Sequence, residues 1–209
     1  MRMRQIAIEA WVRRAILDYY LAFQTSNLTT YWSFPLHQAI EKMCKSYLMA
    51  SAASSWENLE SNEAARWIER FARELRHDLW KLVSRVSETV PALEQFVIGK
   101  KEDSFLDLLS LAYEEARYPK PIDQSIWSQH GFPAWVDSRN EVQAFQIGAH
   151  ILVVLRDGHG IVDVAEGLPD RGISLENWDR FIRIWNLRVG SIFPIVGPRI
   201  MAESLAKRQ

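Results

Sequence analysis

Residues 62–86 read NEAARWIERFARELRHDLWKLVSRV, and their apolar positions Ile68, Phe71, Leu75, Leu79, Leu82 and Val86 recur every three or four residues. That is the period of an α-helix with one buried face, because successive side chains stand about 100° apart around the axis. Asn62 is a good N-cap, and Pro91 lies beyond the end of the pattern. Two arrangements satisfy it: one long helix, or two helices joined near His77. If the helix is continuous through Arg76 and His77, then Arg66, Arg70, Arg73, His77 and Lys81 form a basic stripe within roughly 40° of His77, opposite the Phe71, Leu75 and Leu79 face. A break there rotates His77 off the line.

The same period extends in both directions. Ile8, Val12, Ala15, Tyr19 and Phe23 mark a first helix. Leu36, Ile40, Met43 and Tyr47 mark a second, started by Ser33 and Pro35 and running to about Ala53. Asp103 to Tyr118 reads as amphipathic, with Phe105, Leu109 and Ala112 inward and Pro119 forcing the stop. From Ser138 to Gly158 the chain is apolar on two faces after Ala144, which predicts a central, well-buried helix with a glycine C-cap. Ser174 caps a helix reaching Leu187, with Trp178, Phe181, Ile182 and Trp185 on one side. VIGKKEDS (97–104) and PKPIDQSIWSQHGFPAW (119–135) read as loops. HGIVDVAEGLPDRGI (159–173) reads as a loop with room for one short strand, and SIFPIVGP (191–198) leads to a short basic terminal helix. No internal repeat is present. The predicted fold is all-α: an up-and-down helical bundle over residues 1–157, with a C-terminal loop-plus-helix extension, 158–209, packed on it.

Composition narrows the functional classes. The 25 Lys and Arg nearly cancel the 26 Asp and Glu, so nucleic acid would have to be held by a local patch and not by a global basic field. Cys44 is the one cysteine, which excludes an intrachain disulfide or a multi-cysteine metal cluster and fits a reducing cytoplasm. MRMRQIAIEAWVRRAI lacks the uninterrupted apolar core of a secretory signal. The longest apolar run, IGAHILVVL, ends at Arg156 and Asp157, too short for a membrane span. The histidines at 37, 77, 130, 150 and 159 lack metal-ligand spacing, so neither metal nor other cofactor is expected. His150 reads as a core histidine, His159 between two glycines as a turn residue, and Cys44 as a small buried hydrophobe. Nine tryptophans exceed what one bundle core needs. Trp127, Trp135, Trp178 and Trp185 fall where a partner surface could be built.

The basic stripe has two physical readings. It can be a solvated helix back, with Glu69 and Glu74 pairing to its arginines. It can also bind phosphate, because guanidinium groups hold phosphate oxygens bidentately while a neutral imidazole beside them acts as general base. Tyr113 and Arg117, four apart, share one helix face, where Arg117 can neutralise the last carbonyls and stack on Tyr113. Tyr118 reads as a packed aromatic at the forced helix end.

Four segments in order, LHQAIEKMCKSYLMA (36–50), RHDLWKLV (76–83), LAYEEARYPKP (111–121) and EVQAFQIGAHILVVL (141–155), resemble HEPN domains, named for nucleotide binding in higher eukaryotes and prokaryotes. The family's Ala-x-Glu-Lys-like signature falls on Ala39, Glu41, Lys42 and Lys45. Its His-Asp-Leu segment falls on His77, Asp78 and Leu79, and its Tyr-x-x-x-Arg-Tyr-Pro helix end on Tyr113, Arg117, Tyr118 and Pro119. The resemblance implies a bundle that often dimerises and is commonly encoded beside a small nucleotidyltransferase. Some members are metal-independent endoribonucleases with an Arg-x(4 to 6)-His motif, which Arg70 and His77 satisfy. The expected function is binding of nucleotide or RNA phosphate through the basic face, with Arg66, Arg73, Lys81, Asp78, Tyr113 and Arg117 as ligand contacts, in a toxin–antitoxin or nucleotidyltransferase-associated system. One alternative is RNA cleavage by Arg70 and His77. The other is a structural or regulatory subunit partnering a nucleotidyltransferase or acting as an antitoxin. A homodimer would bring the two basic faces into one cleft.

Overall fold

The computed structural model describes residues 2–25, 32–117, 138–161 and 173–195, and every regular element among them is helical. The helices are α1 (Arg2–Gln24), α2 (Ser33–Ser51), α3 (Ser61–Glu74), α4 (Leu79–Ser87), α5 (Phe105–Arg117), α6 (Ser138–His159) and α7 (Leu175–Val189). Short 3₁₀ turns occupy Ala53–Ser55, Pro91–Phe96 and Lys101–Asp103. The protein is an all-α helical bundle, and none of the described helices is long and apolar enough to cross a membrane.

The centre of the bundle is α2, whereas the sequence points to the helix from Ser138. α1, α3, α4, α5 and α6 all pack on α2, and its buried positions run right round the axis: Leu36, Ala39, Ile40, Met43 and Cys44, but also His37, Glu41 and Lys45. Burying a full circumference that includes charge is tolerable only when the charges satisfy one another, as Glu41 and Lys45 do across one helical turn. α6 is nonetheless deeply buried through Ala144, Phe145, Ile147, Ile151 and Leu155, and packs between α2 and α7. Burial pushes the Cys44 thiol well above its ordinary value, so it is a core group and not a nucleophile.

Trp178 and Trp185 overturn the expectation of a partner surface at these two positions, because both are fully buried. Tyr19 lies 5.3 Å from Trp185 and Tyr20 5.6 Å from Trp178 by ring centroids, with Phe145 and Phe181 between them, so α1, α6 and α7 share an aromatic layer. The Trp185 indole N–H donates to the carbonyl of Phe193 at 2.9 Å, which satisfies the polar edge of the ring. The Tyr19 hydroxyl donates to the Ala144 carbonyl at 2.8 Å as it crosses Gly148. A Cβ at residue 148 would lie 2.7 Å from the Tyr19 oxygen, so glycine is what permits this crossing. Trp127, Trp135, His130, Tyr118, Pro119 and the terminal helix lie outside the described residues, as does most of the 159–173 stretch.

Of the two arrangements open to residues 62–86, the chain adopts two helices. α3 stops at Glu74, Arg76 takes a left-handed backbone (φ 53°), and Asp78 caps α4 by accepting from the Lys81 amide at 3.1 Å. The turn lets Leu79, Leu82, Val83 and Val86 reach the core while α3 stays outside, with Ala64 its one buried residue. α3 starts at Ser61 with Glu60 flanking it, so Asn62 lies inside the helix. Trp67 stacks between Trp56 and Phe71, at 6.0 and 4.6 Å, and ties α3 to the turn before it. At the far end of α6, Gly158 is helical and Gly160 (φ 67°) supplies the left-handed residue. His159 is therefore the last helical residue, and its Nδ1 accepts from Arg4 at 2.9 Å.

Candidate functional site

Glu41 and Lys45 stand one turn apart on α2, and both are almost wholly buried. Neither ion would tolerate that alone, but Lys45 Nζ lies 2.7 Å from Glu41 Oε1. On the same line of α2, Lys42 binds buried Asp18 of α1 at 2.7 Å and the Gln38 carbonyl oxygen at 2.7 Å. The second oxygen of Glu41 faces the α3–α4 turn. It accepts from His77 Nδ1 at 2.9 Å and from the Gln38 amide at 3.2 Å. Burial pushes the Glu41 carboxyl up, but Lys45, His77 and His37 together outweigh it and hold the group below its ordinary value. It is a carboxylate at neutral pH.

His77 is fixed twice. Its side chain is oriented by Glu41, and its backbone carbonyl accepts from His37 Nε2 at 2.9 Å. A carbonyl cannot donate, so His37 carries its proton on Nε2. His37 is fully buried with its ring 4.0 Å from the Tyr113 ring and nearly parallel to it, and burial pushes its pKa down to about 4. It is a neutral strut between α2, α5 and the turn. The His77 side chain itself is 52% exposed, which matters because a proton-transfer group must reach its substrate. With Nδ1–H committed to Glu41, the lone pair sits on Nε2, the tautomer a general base needs.

A groove of about 680 Å³ opens beside His77 between the turn, α4 and α5. Arg73, Arg76, Lys81, Arg85 and Lys101 line it, together with the acids Glu74, Asp78, Asp107 and Glu114, so the lining is of mixed charge with a slight cationic excess. Asp78 is held below its ordinary value: burial raises it, but Lys101 at 2.9 Å and the Lys81 amide pull it down further. Arg76 and Arg85 have no ion-pair partner among the described residues and are the cations of this lining left unmatched by a salt bridge.

The expected residues are therefore divided. Arg73, His77, Asp78 and Lys81 share the groove, but the helix break ends the continuous stripe, and exposed Arg66 and Arg70 line no part of it. The Arg70-to-His77 spacing exists in the sequence, whereas the α3 arginine that meets His77 at the groove is Arg73, which also pairs with Glu69. Asp78 is a helix cap and ion-pair partner. Tyr113 is buried against His37 and Phe34 and lines no groove wall, while Arg117 donates to the Tyr113 hydroxyl at 3.0 Å with its guanidinium 5.5 Å from the ring centre, the stacked pair expected. Sequence reasoning missed Glu41, Lys45 and His37 as site residues. The signal was there: a Glu and a Lys four apart inside an apolar helix. Among the described residues no group of His, Cys, Asp and Glu is arranged to hold a metal ion. Comparison of the chain with protein-family models, curated proteins and solved structures finds no match.

Proposed function

We propose that the protein is a HEPN-like RNA-binding module that cleaves RNA without a metal, using His77 as general base. The observation that carries this reading is the Glu41–His77 pair: an exposed imidazole whose Nδ1 is held by a buried, ionised carboxylate. Histidine on the surface for solubility needs no such support, whereas a base does. In the reaction, Nε2 takes the proton of a ribose 2′-hydroxyl as its oxygen attacks the adjacent phosphorus. The bond to the 5′-oxygen breaks, and that oxygen takes a proton from water. The products are a 2′,3′-cyclic phosphate and a free 5′-hydroxyl. Arg76 faces the charge that grows on the non-bridging oxygens, and Lys81 and Arg85 hold neighbouring phosphates.

Cleavage of single-stranded RNA in excess chelator tests the reading. His77→Ala should lose about a hundredfold or more in rate while remaining folded, and Glu41→Gln a substantial part of it. A 2′-deoxy substitution at the cleavage site should stop the reaction. Undiminished cleavage by His77→Ala refutes the assignment of the base. Binding without any cleavage by the wild type leaves the basic groove as a phosphate-binding surface, whose affinity should fall with salt and with Arg85→Glu. On this reading a cytoplasmic homodimer doubles the phosphate contacts, and sedimentation at micromolar concentration decides it.

A further inference from the structure

His77 has a second neighbourhood. On the side away from the basic groove, α2 and α3 do not close on each other, and a space of about 510 Å³ lies between them with Trp11 of α1 at its edge. One wall is Ala65, Ile68 and Ala72, which the helical period puts on one face of α3. The other is the polar line of α2, Gln38, Glu41, Lys42 and Lys45. Arg73 and His77 belong to the walls of both spaces, so the two adjoin on either side of the imidazole.

The chemistry of the two sides differs. In the groove beside α4 and α5, Arg76 and Arg85 are cations with no ion-pair partner among the described residues. In the second space each lysine is already matched, Lys42 by Asp18 and Lys45 by Glu41, and Arg73 is matched by Glu69. This space therefore offers little to a phosphate. It suits a flat, neutral group with apolar faces and a polar rim. The Gln38 amide uses one N–H on Glu41 and one lone pair on Lys42, leaving a second donor and a second acceptor for that rim.

Resting on the RNA reading above, we infer that this second space is a nucleobase pocket, and that one nucleotide lies astride His77 with its base between α2 and α3 and its phosphate in the basic groove. The ribose then lies at the imidazole, where the 2′-hydroxyl must be for Nε2 to take its proton. The same geometry sets the substrate class. A base can enter a pocket between two helices only when it is unpaired, so the substrate is single-stranded RNA.

The test needs no turnover. Uridine 3′-monophosphate, adenosine 3′-monophosphate and ribose 5-phosphate are titrated into the full chain, with binding read from the amide resonances of Ala65, Ile68 and Ala72 and from calorimetry. The nucleotides should shift those amides and ribose 5-phosphate should not. Ala72→Phe fills the pocket from α3 and should cut nucleotide affinity about tenfold or more while leaving ribose 5-phosphate binding unchanged. Ala65→Phe, two turns away, gives a second reading should Ala72→Phe not fold. Equal affinity for nucleotides and ribose 5-phosphate in the wild type, or nucleotide binding indifferent to both variants, overturns the pocket. The outcome is separable from that of the cleavage reading, since absence of RNA cleavage by the wild type would leave the titration result standing.

Discussion

His37 makes a quantitative prediction about acid. In the folded chain its pKa is pushed down to about 4 from an ordinary 6.5 by burial, whereas in the unfolded chain it returns to the ordinary value. Between those two values the unfolded state binds a proton that the folded state refuses, so stability falls as pH falls. The contribution is intact above pH 6.5, drains through the window, and flattens below about 4. A tenfold difference in proton affinity between the two states corresponds to about 1.4 kcal/mol, which gives about 3 kcal/mol over the whole window and about 2 kcal/mol between pH 7 and pH 5. Glu41 adds a loss of the same sign, but only as its own carboxylate protonates below its ordinary 4.5, so the range from pH 7 to 5 belongs to histidine. His150 and His159 are also held down by burial, so the measurement must be a difference. Urea unfolding followed by tryptophan fluorescence, wild type against His37→Gln, isolates the residue: Gln can still donate to the His77 carbonyl but cannot titrate. The wild type should lose about 2 kcal/mol more than the variant on going from pH 7 to 5. Parallel losses would show that His37 is not held neutral, and the strut between α2 and the turn would go with it.

Other perturbations follow from the same contacts. Lys45→Met leaves Glu41 buried without its cation and should cost about 3 kcal/mol in urea unfolding, while adding Glu41→Gln to it should recover much of the loss. Gly148→Ala drives a methyl into Tyr19 and should lower stability by about 1–3 kcal/mol in the same assay, since Tyr19 is locked by its bond to Ala144. Arg76→Gly should be nearly neutral in melting temperature because the left-handed backbone suits glycine, whereas Arg76→Val should cost roughly 1–2 kcal/mol.

The helices are legible in the sequence because their apolar residues repeat at the helical period, and Ser174, Leu79 and the 105–117 segment sit where that period puts them. The break at Arg76 is ambiguous. Its residues keep the helical period across the junction, and the local mark of a new start is Asp78 three residues before Lys81. The site is harder to read. Polar residues in a helical pattern pass for a solvent face, so the four-residue spacing of Glu41 and Lys45 is a signal that does not by itself say that these groups and Asp18 lie out of water. Conversely Arg66 and Arg70 look aligned with His77 only if α3 and α4 form one rod. Trp178 and Trp185 suggest surface because a proline- and glycine-rich approach precedes them, although the rings themselves face α1 and α6.

α3 carries a consequence for how the molecule breathes. Its hold on the bundle is slight: Ala64 is buried, Trp67 and Phe71 are half covered, and the helix ends in a turn made of Arg76 in a left-handed conformation. Such a segment opens at a fraction of the free energy needed to unfold α2, so its amides should exchange with deuterium well before those of the central helix. Because α3 is also one wall of the space beside His77, an occupant there would slow its exchange selectively. Part of the binding energy then goes into ordering a helix, which lowers affinity for short ligands and leaves dissociation fast. On the proposed RNA reading, a chain built this way would sample many segments briefly, and an unpaired base that settles the wall would hold the strand against the imidazole.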